Sequence, residues 1–387
     1  MDYKGLKVFV LDGYGRQVAT ILEQLHKLGC VITTLNDSRF DIGNTSRYPR
    51  KKIIVNGIRD NEELLEKAIV EELAAAEYDA VFPMIEKSTD VLTRLENKGK
   101  IENIKVIAAP REAFLKAYDK QLTLAICQEN GIPCPVTKMD DESIENYLDK
   151  VKFPLACKPR KGTGSTGFKK VDSKEQLYEY INNGIIKPEE YVIQEYIPHT
   201  DYHYGAYVMM DNHSEAIYCV VVQSCRQYPV DGGPGCYIRT VNDPEVQNNV
   251  IKLFKKMDWK GFGHVGLIMD PADHIAKVME INGRIPGGVK ICYCVGIPSV
   301  KIMLDLAFDQ PITKRDYTYP EKIALRHSQA DILWLFKSPN RFKAIPSWFN
   351  FHHNNDYVFS WHDPLPWFSY SIEHMMTYKK DMKKRQH

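Results

Sequence analysis

The chain has no apolar run approaching the ~18 residues of a membrane span, so a spanning helix is not expected. It also lacks a charge bias. Its 51 Lys and Arg against 50 Asp and Glu leave a formal net charge of +1, with no electrostatic footprint for nucleic acid or an anionic membrane. Residues 1–10 run from a charged start straight into a strand, without the apolar core and cleavage site of a signal peptide. The nine cysteines are odd in number and scattered, and Cys30, Cys157 and Cys219 sit in apolar surroundings. Reduced thiols in a cytoplasmic protein are expected. Cys292-x-Cys294 has no second pair at zinc spacing. There is no internal duplication and no Ser-His-Asp signature. What remains is an ordinary globular composition, 44% hydrophobic and 26% charged over 387 residues, enough for two or three domains.

The first 110 residues read as a parallel α/β unit. Lys7–Leu11 is a short buried strand, Asp12-Gly-Tyr-Gly-Arg-Gln17 a glycine turn, Val18–Leu28 an amphipathic helix and Cys30–Leu35 a second strand. Gly13-x-Gly15 lacks the third glycine of a dinucleotide fingerprint, and no acidic residue closes the second strand cleanly. A tight turn is the simpler reading, and a nicotinamide-dependent dehydrogenase rests on this feature alone. A helix over Asn61–Ala76 and strands at Ala80–Pro83 and Ile104–Ala108 complete the unit.

A helix is expected over Ala113–Glu129, carrying Asp119-Lys120 as a surface charge pair and stopped by Gly131 and two prolines. Phe153–Lys158 is a strand ending in lysine. It opens into Pro159-Arg-Lys-Gly-Thr-Gly-Ser-Thr-Gly167 and a return strand at Phe168–Val171. Gly162, Gly164 and Gly167, with Ser165 among them, leave backbone N–H groups able to wrap phosphate oxygens. The loop sits on a hairpin, unlike a Walker A loop, which opens a helix. Glu190–Pro198 is a strand ending in Gln194-Glu195, with Asp201 just beyond. Tyr204–Met210 and Ala216–Gln223 form a hairpin, and Arg226 precedes a glycine-rich loop. After the helix Pro244–Met257, the strand Gly263–Asp270 turns near Ala272-Asp273 and pairs with the following stretch.

That stretch contains Glu280-Ile281-Asn282-Gly283-Arg284. In a strand, Glu280, Asn282 and Arg284 share one face. A carboxylate and an amide oxygen two residues apart are hard ligands of the kind Mg²⁺ accepts when it also holds phosphates. The guanidinium beyond can grip a phosphate bidentately. Taken alone, the same pattern also describes a strand end with solvated charges.

With these motifs in this order over residues 1 to about 310, the chain resembles the ATP-grasp superfamily. It is most similar to the carbamoyl-phosphate-synthase-like branch of carboxylate–amine ligases, which includes D-aspartate ligase and envelope or capsule ligases. The resemblance implies a Rossmann-like N-terminal domain (1–110) and an ATP-grasp domain (111–311). In the latter, two α+β subdomains clasp ATP and the lid covers roughly 136–196. It implies that Lys120 and Lys158 bind ATP phosphates beneath the glycine loop. Glu195 and Ile197 would meet adenine through their backbones, and Asp201 the ribose. Glu280 and Asn282 would hold Mg²⁺, with Mn²⁺ as an alternative, and Arg284 would contact the transferred phosphoryl group. Arg226 is counted with Arg284 and Lys158 as a catalytic candidate. The activity implied is ligation of a small-molecule carboxylate and amine through an acyl phosphate, with a homodimer as a compatible assembly. Two departures stand out. Gly283 replaces the usual proline, and Gly266 stands where the preceding strand usually brings a further metal ligand. The register places Glu280 opposite Val265 or Gly266, and Asn282 opposite Gly263 or His264, so an incomplete metal site is expected. A catalytically impaired ATP-binding scaffold is the rival reading.

Residues 312–387 change character. Trp334, Trp348, Trp361 and Trp367 gather with His327, His352, His353, His362 and His374. Adjacent histidines on a strand point oppositely, which favours a small α/β appendage with packed aromatics over a metal site. Residues 379–385 form a basic tail.

Overall fold

The computed structural model describes all residues except 102, 163–166, 200, 201, 231, 316, 351–353 and 387, and no side chains for 354 and 377–386. Five short strands, β1 (Lys7–Val10), β2 (Val31–Asn36), β3 (Lys51–Ile54), β4 (Ala80–Phe82) and β5 (Lys105–Val106), form a parallel sheet in the order β3-β2-β1-β4-β5. The sequence reading misses β3 and the helix Glu86–Asn97, whose apolar face is narrow (Val91, Leu92 and Leu95) among many polar and charged residues. Asn61 caps its helix by accepting from Leu64 N, as an N-cap asparagine should.

The next three strands, β6 (Leu155–Pro159), β7 (Lys169–Val171) and β8 (Tyr191–Glu195), make a small antiparallel sheet in the order β7-β6-β8. A seven-stranded sheet follows: β9 (His203–Met210), β10 (Ala216–Gln227), β11 (Gly235–Val241), β12 (Gly261–Met269), β13 (Ala276–Asn282), β14 (Ala324–Arg326) and β15 (Asn354–Asp356), in the order β13-β12-β9-β10-β11-β14-β15. Two of these strands lie beyond residue 312, so the aromatic-rich segment extends the central sheet.

Period-two alternation gives the large sheet its two faces. Ala206, Val208, Val221 and Val265 pack on one side with Val250, Phe254 and Trp259. Tyr207, Met209, Val220 and Val222 pack on the other, in one cluster with Val8, Val10, Ile21 and Leu22 of the parallel unit. Each such aliphatic or aromatic side chain contributes about 1.5–3 kcal/mol of burial. The parallel unit and the large sheet therefore share a core, and the cleft between them is held in shape. Among the described residues, no helix is long and apolar enough to cross a membrane.

The expected single helix over Ala113–Glu129 is in fact two, Arg111–Tyr118 and Lys120–Glu129. Asp119 breaks it by adopting an extended conformation and capping the second helix through Gln121 N. Nor is Asp119-Lys120 a surface pair. Both residues are buried, and Arg160 donates through Nε to both Asp119 oxygens at 3.0 and 3.1 Å.

Candidate active site

The hairpin β12–β13 sets the geometry. Gly266 pairs with Glu280 and His264 with Asn282, as the turn position led one to expect. Asp270 lies further along and is bound to Lys277 at 2.5 Å. A register shift between Gly266 and Leu267 leaves Met279 between paired positions, and its carbonyl accepts from Lys158 Nζ at 3.0 Å. The end of β6 is thereby tied to β13. Lys120, first residue of its helix, donates through Nζ to Gly162 O at 2.7 Å, which ties that helix to the start of the glycine loop.

Burial pushes the Lys158 ammonium down to about 8, against the pull of nearby Glu280 and with the push of Lys120. Burial likewise lowers Lys120, against Glu280, Glu86 and Asp119. The two lysines thus lie within electrostatic reach of one carboxylate, Glu280. Neither makes an ion pair within 4 Å among the described residues, so three donors on each ammonium are met by a single carbonyl.

Arg284 completes the group. Its Nη2 donates to Asn282 Oδ1 at 3.2 Å, and its Nε lies 3.1 Å from Glu86 Oε1. Glu86, on the first turn of a helix from the parallel unit, is a site residue that sequence reading missed. Nothing in its local pattern marks it, because only the docking of two units brings it to Arg284. Asn282 Nδ2 lies 3.1 Å from His264 Nδ1. Burial, and then Arg284, press the His264 imidazole down to about 3, so it is neutral at ordinary pH. Gly283 has a packing reason: a Cβ there would fall 2.9 Å from Phe114 Cδ2.

Glu195 and Ile197 lie at and just past the end of β8. The N–H of Glu195 is committed to Val136 O at 2.9 Å, and its carboxylate accepts from Val136 N and faces Lys277 at 3.3 Å. Gly162 and Gly167 flank the glycine loop, both at positive φ. Gly164, Ser165 and Asp201 lie outside the described residues, as do His352 and His353.

Arg226 is not brought to this group. Its guanidinium is enclosed, with Nε and Nη2 on Asp331 at 2.6 and 3.0 Å, Nη1 on Pro346 O at 3.0 Å, and the Tyr237 ring 4.0 Å away. The Gly13-x-Gly15 turn is occupied by the protein itself. A Cβ on Gly13 would overlap Asn36 Oδ1 at 1.9 Å, and Gly43 N donates to Gly13 O at 2.9 Å.

Glu280 and Asn282 provide one carboxylate and one amide oxygen, a donor set suited to a hard divalent ion that also holds phosphate oxygens. Among the described residues, no group of three or more His, Cys, Asp or Glu could hold a metal by itself.

Residues 117–288, which include Lys120, Lys158, Glu280, Asn282 and Arg284 but not Glu86, match the model of the ATP-grasp domain. Among solved structures, the chain is similar to the biotin carboxylase domain of Hydrogenobacter thermophilus 2-oxoglutarate carboxylase, determined with MgADP, ADP and bicarbonate. The TM-score is 0.67 at 16% identity, covering 82% of this chain and 73% of that one. It is also similar to an L-amino acid ligase from Bacillus licheniformis (TM-score 0.58, 15% identity, 79% and 74% covered). A third is N5-carboxyaminoimidazole ribonucleotide synthetase from Thermotoga maritima (TM-score 0.56, 15% identity, 82% and 79% covered). Identities this low speak to fold alone. Together with the domain match they give the class: the chain carries an ATP-grasp domain and has the ATP-grasp fold.

Proposed function

We propose that the protein is an ATP-dependent carboxylate–amine ligase. The observation that carries this is the convergence of Lys120, Lys158 and Arg284 on Glu280 and Asn282, from separate segments, with neither ammonium in an ion pair among the described residues. Such a surplus of buried positive charge suits a polyphosphate. Mg²⁺, or Mn²⁺ in its place, would be held by Glu280 and Asn282 and would neutralise phosphate charge when bound. A carboxylate oxygen of the first substrate attacks the γ-phosphorus, the bond to the bridging β,γ-oxygen breaks, and ADP leaves. The amine lone pair then attacks the acyl carbon, the C–O bond to phosphate breaks, and the amine nitrogen loses a proton. Carboxylate and amine do not condense in water, whereas the acyl phosphate has a good leaving group. Phosphoryl transfer mostly needs in-line placement and charge neutralisation, which Lys158 and Arg284 supply without a covalent nucleophile.

A cleft of about 360 Å³ lined by Thr89, Glu96, Lys105, Lys260 and Arg284 offers room for the small-molecule substrates beside that group. The reading includes a division into 1–110, 111–311 and 312–387, cytoplasmic residence, a homodimer, and a place in envelope or polysaccharide metabolism. Within it Glu195 and Ile197 take the adenine, Asp201 the ribose and the segment 162–167 the phosphates. A second reading, an ATP-binding scaffold impaired in transfer, is favoured by Gly266, which offers no second carboxylate opposite Glu280. Incubation with ATP, Mg²⁺ and pooled carboxylates and amines decides between them. Substrate-dependent release of ADP and phosphate is expected. Nucleotide binding without release under any pool would favour the scaffold.

A further inference from the structure

Beside Glu280 the sheet carries a slot with no side chain of its own. Gly266 on β12 faces Glu280 on β13, and Gly205 on β9 faces Gly266. All three point to the same face of the sheet, so one row across three strands reads carboxylate, glycine, glycine. A Cβ on Gly266 would meet only Glu280 Cγ, at 3.7 Å, so the space above it is open. A Cβ on Gly205 would instead lie 2.9 Å from His264 Nε2 and 3.3 Å from Val222 Cγ2, so that position is filled by its neighbours and the open space is the one over Gly266. The imidazole leans over Gly205 and turns Nε2 toward the slot.

The hydrogen bonds around His264 say which nitrogen carries its proton. Asn282 Oδ1 accepts from Arg284, which leaves Asn282 Nδ2 facing His264 Nδ1 at 3.1 Å. An amide N–H must meet a lone pair, so Nδ1 is the acceptor and Nε2 bears the hydrogen. That N–H has no hydrogen-bond acceptor among the described residues. It lies beside the open space over Gly266, in the field of the Arg284 guanidinium, with Glu280 bordering that space on β13.

We propose that the slot over Gly266 receives an anionic oxygen of a bound phosphate, to which His264 Nε2–H, standing over the neighbouring Gly205, donates. Divalent metal is then taken up only together with nucleotide, one ion per nucleotide. The proposal rests on the ATP-binding reading above and goes beyond it. Mg²⁺ takes about six oxygen ligands in near-octahedral geometry. Glu280 and Asn282 provide two, so phosphate oxygens and water complete one ion. A second ion would need anionic ligands that the glycines at 205 and 266 do not offer. The imidazole Nε2–H does part of what such an ion would do by holding a phosphate oxygen.

The test is a Mn²⁺ titration, followed by electron paramagnetic resonance of the free ion, with and without the non-hydrolysable ATP analogue AMP-PNP. The protein alone is expected to take up no ion, and the protein with AMP-PNP one ion per nucleotide. Gly266→Glu places a carboxylate in the open space and should add a second ion. His264→Leu should weaken AMP-PNP about ten-fold or more, the size of a lost hydrogen bond to a charged group, whereas His264→Gln, which keeps an N–H donor, should lose less. Circular dichroism and melting curves check that each variant folds. If His264→Leu does not fold, the ion count in the native protein and in Gly266→Glu decides. Two ions per nucleotide in the native protein, metal uptake without nucleotide, or unchanged affinity in folded His264→Leu each overturn the proposal while leaving the ligase reading intact. No AMP-PNP binding under any condition overturns the ATP reading itself.

Discussion

Two groups of enclosed cations lie against the seven-stranded sheet, one at β10 and β14 and one reaching β13 from a helix and from β6, and they have opposite surroundings. At the end of β10, Arg226 and Arg326 close on Asp331, whose carboxylate lies within 3.2 Å of both. Their remaining N–H groups reach Pro346 O and Trp348 O, and the rings of Tyr237, Trp334 and Trp348 lie 4.0–5.5 Å from the guanidiniums. At the other group, Lys120 and Lys158 each find one carbonyl and share the field of Glu280 without touching it. In the first arrangement both guanidiniums are ion-paired to a carboxylate of the chain itself, which ties the segment beyond 312 to the sheet. The second has donors left over, which is what a site for an exchangeable anion requires. Residue type does not separate the two groups; how far each cation is already satisfied does.

The largest effect should come from breaking the completed group. Asp331→Ala would leave two buried guanidiniums without their carboxylate, and about 3–5 kcal/mol of stability should be lost, read by denaturant unfolding. A loss under ~1 kcal/mol would mean that the pair is not closed as described.

The unfinished group should behave the other way. Lys158→Ala is expected to leave the melting temperature unchanged or higher while lowering ATP turnover about 10²-fold or more. Because the ammonium is pushed down to about 8, below the ordinary ~10.4 of an unfolded lysine, the unfolded chain binds more protons between those values. This lysine therefore opposes folding below pH 8, and its contribution to stability rises from about pH 8 to ~10.4. A polyphosphate would draw the proton back, so nucleotide binding near pH 8.5 should take up protons, measurable by calorimetry in buffers of differing ionisation enthalpy. Lys158→Met should abolish both effects. Proton uptake that persists in that variant would assign it elsewhere.

The smallest effect is expected where the two units meet. Glu86 and Arg284 are partly solvent-accessible, so Glu86→Gln should change stability by no more than ~1 kcal/mol. It should tighten nucleotide binding modestly by releasing Arg284. Weaker binding would instead make Glu86 part of the nucleotide site.

Much of the fold and of the group around Glu280 was legible in the chain itself. Alternation in Tyr204–Met210, the hairpin turn near Ala272 and the lysine before a glycine run are local patterns, and local patterns fix strands, turns and their facing residues. Counting back from a turn placed Glu280 opposite Val265 or Gly266, and the folded hairpin takes Gly266. What could not be read depends on contacts between distant segments. The break at Asp119 answers to Arg160, 41 residues away. Arg226 before a glycine loop looks much like a site arginine in sequence, and only Asp331, 105 residues on, makes it a structural one. Glu86 reaches Arg284 because two sheets share one core, and His264 carries its proton on Nε2 because Arg284 has already claimed the Asn282 oxygen. Sequence spacing determines which side chains share a face. Which of them are already paired is decided only when the chain closes on itself, because pairing depends on distance in space.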